Sequence, residues 1–191
     1  MSVSSQPQSI DKTVLLKTGE TLNLRRSQPT DAAELKRLSN TFSPQTIYSI
    51  MFKSLHAFSP TAVERYTAAD DPSRLTIVAQ FEKDLNKIPA LPSPIVGVAH
   101  YWLGENDNAS MTIAVGDPWQ GQGIGKALLE HLLQLARQAG IRWMRTFYGN
   151  DNRGMRTLLE HSGLEPREVP GHEGTWEFGL AREALPSCRS S

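Results

Sequence analysis

Between residues 20 and 181 the chain alternates between two hydrophobic periods. Thr21 to Arg26 places Leu22 and Leu24 on one side, a two-residue period that predicts a short strand. Thr30 or Asp31 then caps a helix carrying Ala33, Leu35 and Leu38. Ser43–Pro44 starts a second helical stretch with Ile47, Ile50, Met51 and Phe52, and Ser59–Pro60 a third. Leu75 to Phe81 reads as a strand, and Lys83 to Ser93 as a charged, proline-containing loop. Ile95 to Leu103 is apolar and aromatic and predicts a central strand. A turn at Glu105–Asn108 pairs it with Ser110 to Val115 in a hairpin. The clearest helix is Ile124 to Ala139, with Ile124, Leu128, Leu132, Leu135 and Ala139 on one stripe and Gly140 in place to end it. Arg142 to Tyr148 returns as a strand. Asn152 to Ser162 is a short helix closed by Gly163, and Glu173 to Leu180 is a last strand. Strands and helices in this order predict a mixed α/β (α+β) fold on one sheet.

Composition narrows the function classes. The 191 residues hold 20 basic and 20 acidic side chains, so the net charge is zero. That balance argues against a nucleic-acid binder acting through bulk charge. No apolar run approaches the length of a membrane span. A single cysteine, Cys188, excludes an internal disulfide framework and a cysteine-based zinc site. Residues 1–14 and 185–191 read as flexible tails around one domain, residues 15–184. The start is polar and lacks a signal sequence, which makes the cytoplasm the default expectation.

The chemistry concentrates at residues 115–126, Val-Gly-Asp-Pro-Trp-Gln-Gly-Gln-Gly-Ile-Gly-Lys. A strand feeds a glycine loop and a long helix follows. Unpaired amides at a helix start, with the helix dipole behind them, form an anion cradle. Lys126 adds a cation. A P-loop would need glycine at position 120 and Ser or Thr after the lysine; Gln120 and Ala127 stand there. A dinucleotide fingerprint would need a third glycine at 126 or 128, occupied by Lys126 and Leu128.

Gln120-x-x-Gly123-x-Gly125 resembles the acyl-CoA pyrophosphate loop of the GNAT N-acetyltransferases. Asn152-x-x-Met155-x-x-Leu158-x-x-x-x-Gly163-Leu164 is similar to that family's later Asn-helix motif. Phe42–Phe52 and Ile95–Tyr101 resemble the GNAT domains of bacterial protein-lysine acetyltransferases. The resemblance implies a GNAT fold: a mixed, mostly antiparallel sheet of about six to seven strands with helices on both faces. It implies acetyl-CoA as donor, no metal and no other cofactor. It implies main-chain pairing of pantetheine with Ile113, Ala114 and Val115. Gln120, Gly121, Gln122, Gly123, Ile124, Gly125 and Lys126 would hold the pyrophosphate, and Asn152 would contact the pantetheine arm. Arg153 and Arg156 are candidates for the nucleotide's 3′-phosphate, and Trp119 for a cover on the loop.

Two positions depart from the family pattern. The glutamate often found ten residues before the loop's Gln is Ser110, and the frequent tyrosine of the Asn helix is Leu159. The catalytic groups are therefore unassigned. Ser110 can position a water; Glu105 and Asp107 in the hairpin turn and His100 are candidate bases; Tyr148 is a candidate acid. Turn acids are ordinarily solvated, and a lone strand histidine is ordinarily a hydrogen-bonded core residue. The acceptor expected is a primary amine, on a protein lysine or a small molecule. The alternative is a non-catalytic acetyl-CoA-binding module reporting to a separate partner. Neither nucleic acid nor membrane is expected as partner, and the oligomeric state is left open, a homodimer included.

Overall fold

A computed structural model of the chain describes residues 10–51, 67, 71–82, 94–104, 108–149 and 152–180. The sheet has eight strands: β1 (Lys12–Leu15), β2 (Thr21–Arg26), β3 (Arg74–Phe81), β4 (Ile95–Leu103), β5 (Asn108–Val115), β6 (Trp143–Phe147), β7 (Arg167–Glu168) and β8 (Thr175–Gly179). Their spatial order is β1-β2-β3-β4-β5-β6-β8-β7. Only β5 and β6 run parallel. Four helices lie among the described residues: α1 (Ala32–Ser39), α2 (Pro44–Met51), α3 (Ile124–Gln138) and α4 (Arg153–Glu160). The helix expected from Ser59–Pro60 and the loop Lys83–Ser93 fall outside the described residues. No helix among those described is long and apolar enough to cross a membrane.

The sheet exceeds the expected six to seven strands through its two short edge strands. β1 begins inside the stretch 1–14 taken as a tail, and β7 has two residues. β1 is mostly exposed, so little hydrophobic alternation marks it in the sequence. It is held by backbone pairing to β2. Just ahead of it, the His131 Nε2–H of α3 donates to the Ile10 carbonyl at 2.6 Å.

Each face of the sheet buries its own apolar cluster. α3 packs Ile124, Leu128, Leu129 and Leu132 over Leu22, Leu24, Ile77, Ala99, Met111 and Ile113; α4 adds Leu159. α1 packs Leu35 and Leu38, with Phe42, over Val78, Ile95, Val98 and Ala114 on the opposite face. Helices therefore cover both faces, as the fold class requires. β4 serves both clusters and carries a bulge that shifts its phase. Ala79 pairs with Gly97 and Gln80 with Ile95, leaving Val96 as the extra residue. Side-chain alternation inverts there, so Val96 faces the α3 cluster and Ile95 the α1 cluster.

Gly97 lets α3 approach β4. A Cβ at this position would lie 2.9 Å from Leu128 Cδ1 and 3.2 Å from the Ala114 carbonyl oxygen. Leu128 is fully buried and β5 is locked in register, so neither neighbour has free space to yield. Gly97→Ala is expected to lower stability by about 1–3 kcal/mol through overpacking, read as a shift of the urea midpoint at unchanged m-value.

Candidate active site

The site begins where β5 and β6 part. β5 pairs with β4 along its whole length, from Leu103↔Ala109 to Gly97↔Val115. It pairs with β6 only from Asn108↔Trp143 to Met111↔Thr146. β6 instead stays on β8 through Phe147↔Thr175, and the Tyr148 N–H bonds the Gly174 carbonyl at 3.0 Å. The edge of β5 from Thr112 to Val115 thus opens onto a slit. Strand residues turn their main-chain groups alternately to the two edges. The Gly104 N–H bonds the Asn108 carbonyl and the Gly116 N–H bonds the Val96 carbonyl, so even-numbered residues face β4. Ile113 and Val115 therefore turn their amides to the slit, while Ala114 pairs with β4 and is a spacer between them.

β5 runs into Gly116, a 3-10 turn at Asp117–Trp119, and the glycine loop before α3. Gly121 and Gly123 have φ of +75° and +90°, backbone that L side chains rarely adopt. Beyond the Cβ position at either glycine there is open space within 4 Å. The loop's outer surface is therefore main chain. Gly123 is the N-cap of α3 and supplies no side-chain cap. The Ala127 N–H closes the first turn on the Gly123 carbonyl at 3.0 Å. The amides just ahead of it have no carbonyl four residues back and lie at the positive end of the helix dipole. Ile124 is buried in the core, so it offers the site only its amide. Lys126 is exposed, 3.6 Å from Glu130. The Gln122 side chain donates to the Pro118 carbonyl at 3.3 Å. The Gln120 Nε2–H₂ donates to the Val115 carbonyl at 3.1 Å and the Asp117 carboxylate at 3.1 Å. Open amides, a positive dipole and a strand edge with no paired strand among the described residues suit an elongated ligand with an anionic diphosphate and an amide-bearing arm.

The second motif lies beside the first. A Cβ on Gly125 would meet Leu158 of α4 and Val115 of β5, each at 3.8 Å. The Asn152 Oδ1 accepts the Met155 N–H at 3.0 Å and so caps α4. Arg153 and Arg156 are exposed on α4. Trp119 is half-buried and packs against both clusters.

The catalytic candidates scatter. Ser110 is half-buried on β5, in register with Trp102 of β4 and Arg145 of β6, before the strands part. Glu105 and Asp107 fall outside the described residues. Tyr148 is 1% exposed and stacks on Trp176 at 5.1 Å, and burial raises its pKa. Leu159 is fully buried in the core. His100 lies on the face opposite α3. It shares a 2.9 Å hydrogen bond with Thr76 through Nδ1 and stacks on Trp102 at 5.3 Å. Burial, helped by the Arg74 charge, lowers its pKa to about 4, so it is neutral at pH 7.

The sequence reading missed Asp117, Ser43 and Thr46. Asp117 accepts the Ser43 N–H at 3.0 Å and the Thr46 O–H at 2.8 Å across 74 and 71 residues. Ser43–Pro44 was legible as a helix start; the carboxylate that completes it was not, because it comes from a distant loop.

A family model described as the Acetyltransferase (GNAT) family matches residues 38–163. The chain belongs to the GNAT family. An acetyltransferase of Pseudomonas aeruginosa is 24% identical over 156 residues, 81% of each protein. Acetyltransferase Pat of Mycolicibacterium smegmatis is 26% identical over 78% of this chain but only 43% of its own length. The GNAT domain of S. lividans PAT superposes with a TM-score of 0.76 at 23% identity, covering 92% of this chain and 98% of that one. GNAT enzymes generally use acetyl-CoA, which fits the slit and the loop of amides.

Protonating buried His100 opposes the fold. Its folded pKa lies below the ordinary value of 6.5, so the unfolded chain binds more protons between those values. Stability is expected to be full above about pH 6.5 and to fall as pH drops toward about 4. In His100→Gln the part of that loss due to this residue should vanish, as read by urea unfolding across the pH range.

Proposed function

We propose that this GNAT protein transfers an acetyl group from acetyl-CoA to a primary amine, on a protein lysine or a small molecule, by direct attack on the thioester. The observation carrying this reading is the divergence of β5 and β6 after Met111, with the helix-start loop at the end of the same strand. The amides of residues 121–126, with Lys126, would hold the diphosphate. The Ile113 and Val115 main chains would pair with the pantetheine arm, and Asn152 and Arg153 with Arg156 would line its far side. Bound acetyl-CoA supplies an activated acyl group. The Val115 N–H, turned into the slit, would stabilise negative charge developing on the acyl oxygen. Holding donor and amine in one cleft supplies the remainder through proximity.

An amine near pKa 10.4 must shed a proton before it attacks. Neutral, buried His100 is a weak base, and Tyr148 keeps its proton inside the core. Ser110 supports a water-mediated route, since its hydroxyl orients water without itself taking the proton.

Serine at 110 and leucine at 159 favour a second reading, a module that binds acetyl-CoA and reports it to another protein. The two separate in one experiment. The protein is mixed with acetyl-CoA and a panel of amines, and free thiol is followed. Amine-dependent thiol release supports the enzyme; binding without release supports the module; absence of binding removes both. Saturation at 100 times the dissociation constant should stabilise the fold by about 2.7 kcal/mol in a thermal-shift assay. Gly123→Val, which forces a β-branched residue to positive φ, is expected to weaken CoA binding by about tenfold or more in calorimetry.

A further inference from the structure

We propose that Asp117 is a positioning residue that couples the diphosphate loop to α2, so that α2 tightens when an acyl-CoA fills the loop. This inference rests on the acyl-CoA reading of that loop. Asp117 sits at the start of the loop, yet both its oxygens are used on the first turn of α2. Oδ2 accepts the Ser43 N–H at 3.0 Å, and Oδ1 accepts the Thr46 O–H at 2.8 Å. The Ser43 Oγ in turn accepts the Thr46 N–H at 3.2 Å. An anionic group is favoured at this helix end by the dipole and the unpaired amides.

Gln120 ties the same group to the loop and to β5. Its Nε2 donates to Asp117 Oδ1 and to the Val115 carbonyl, both at 3.1 Å, and reaches Thr46 Oγ1 at 3.4 Å. The carbonyl at the end of the slit, the loop and α2 therefore share one hydrogen-bond network. The contact beneath it has no slack. A Cβ on Gly116 would lie 2.6 Å from both Thr41 Oγ1 and the Trp119 ring. Residues 116–120 and 41–46 are thus joined by close packing as well as by hydrogen bonds.

The charge arrangement permits an anion nearby. Burial alone would raise the Asp117 pKa, but the hydrogen bonds from Ser43 and Thr46 outweigh it and lower the value. The carboxylate is thus charged, and its donors come from the start of α2 and from Gln120. α2 packs against β5 and exposes Ile47 and Tyr48. Tightening it would order an apolar and aromatic surface next to the slit.

A plain helix cap would act equally with and without CoA, and hydrogen exchange separates the two roles. The full chain is measured by mass spectrometry with and without saturating CoA, and CoA affinity is measured by calorimetry. In the wild type, CoA should slow exchange across residues 44–51 by about threefold or more. Asp117→Ala should bind CoA within about threefold of wild type and lose that slowing. Asp117→Asn keeps an acceptor for the Ser43 N–H and should recover part of it. Thr46→Val removes one bond and should show partial loss, a second route if Asp117→Ala does not fold. Retention of the CoA-dependent slowing in Asp117→Ala or Thr46→Val overturns the coupling. So does wild-type protein that binds CoA with exchange at 44–51 unchanged, a result that leaves the acyl-CoA reading standing. Wild-type protein that binds no CoA removes both.

Discussion

A strand in the middle of a sheet normally satisfies its main chain on both edges. β5 does so on one edge only. β6 follows it for four residues and then keeps its antiparallel partner β8. Buried amides without partners are costly, so an open edge of this kind persists only where water or a ligand completes it. The remaining architecture holds that edge open. α3 anchors the strand from one face through Leu128 over Gly97, and α1 from the other through the cluster around Ala114. β4 is paired along the whole of β5, so the strand cannot shift to close the slit.

The loop and the slit are adjacent, and the chain path explains why. β5 ends at Val115, the loop follows at once, and α3 leaves with its positive end toward the strand's open edge. α4 closes the arrangement from the side through Leu158 beside Gly125. The face of the sheet away from α3 is different in character. His100, Thr76 and Trp102 form a neutral, stacked and hydrogen-bonded patch, while Arg145 and Arg167 both bind Glu177 across β6, β7 and β8. The open edge and the glycine loop thus present backbone, whereas the opposite face is built from side chains.

How much of this was legible depended on the range of the interaction. α3 was readable because its stripe repeats over four turns and Gly123 and Gly140 mark its ends. The glycine loop was readable because its glycines and the helix start are neighbours in sequence. β1 and β7 were not, since short edge strands are held by backbone pairing that leaves little side-chain pattern. The parting of β5 from β6 depends on Phe147 meeting Thr175, a register no local pattern encodes. The same holds for Asp117, whose partners lie over seventy residues earlier. His100 and Tyr148 stood out as titratable residues among apolar ones; only packing revealed that burial opposes charge on both.

The extra residue at Val96 has a consequence for how this sequence tolerates change. Upstream and downstream of it, the same strand shows opposite parity, so two hydrophobic layers are phased by a single insertion. Losing that one residue would restore simple alternation, leaving Ile95 opposite Gln80 in the α1 layer and removing one side chain from the α3 layer. A deletion at this position is therefore absorbed by the pleat, whereas one further along the strand would reverse the faces of the residues before it.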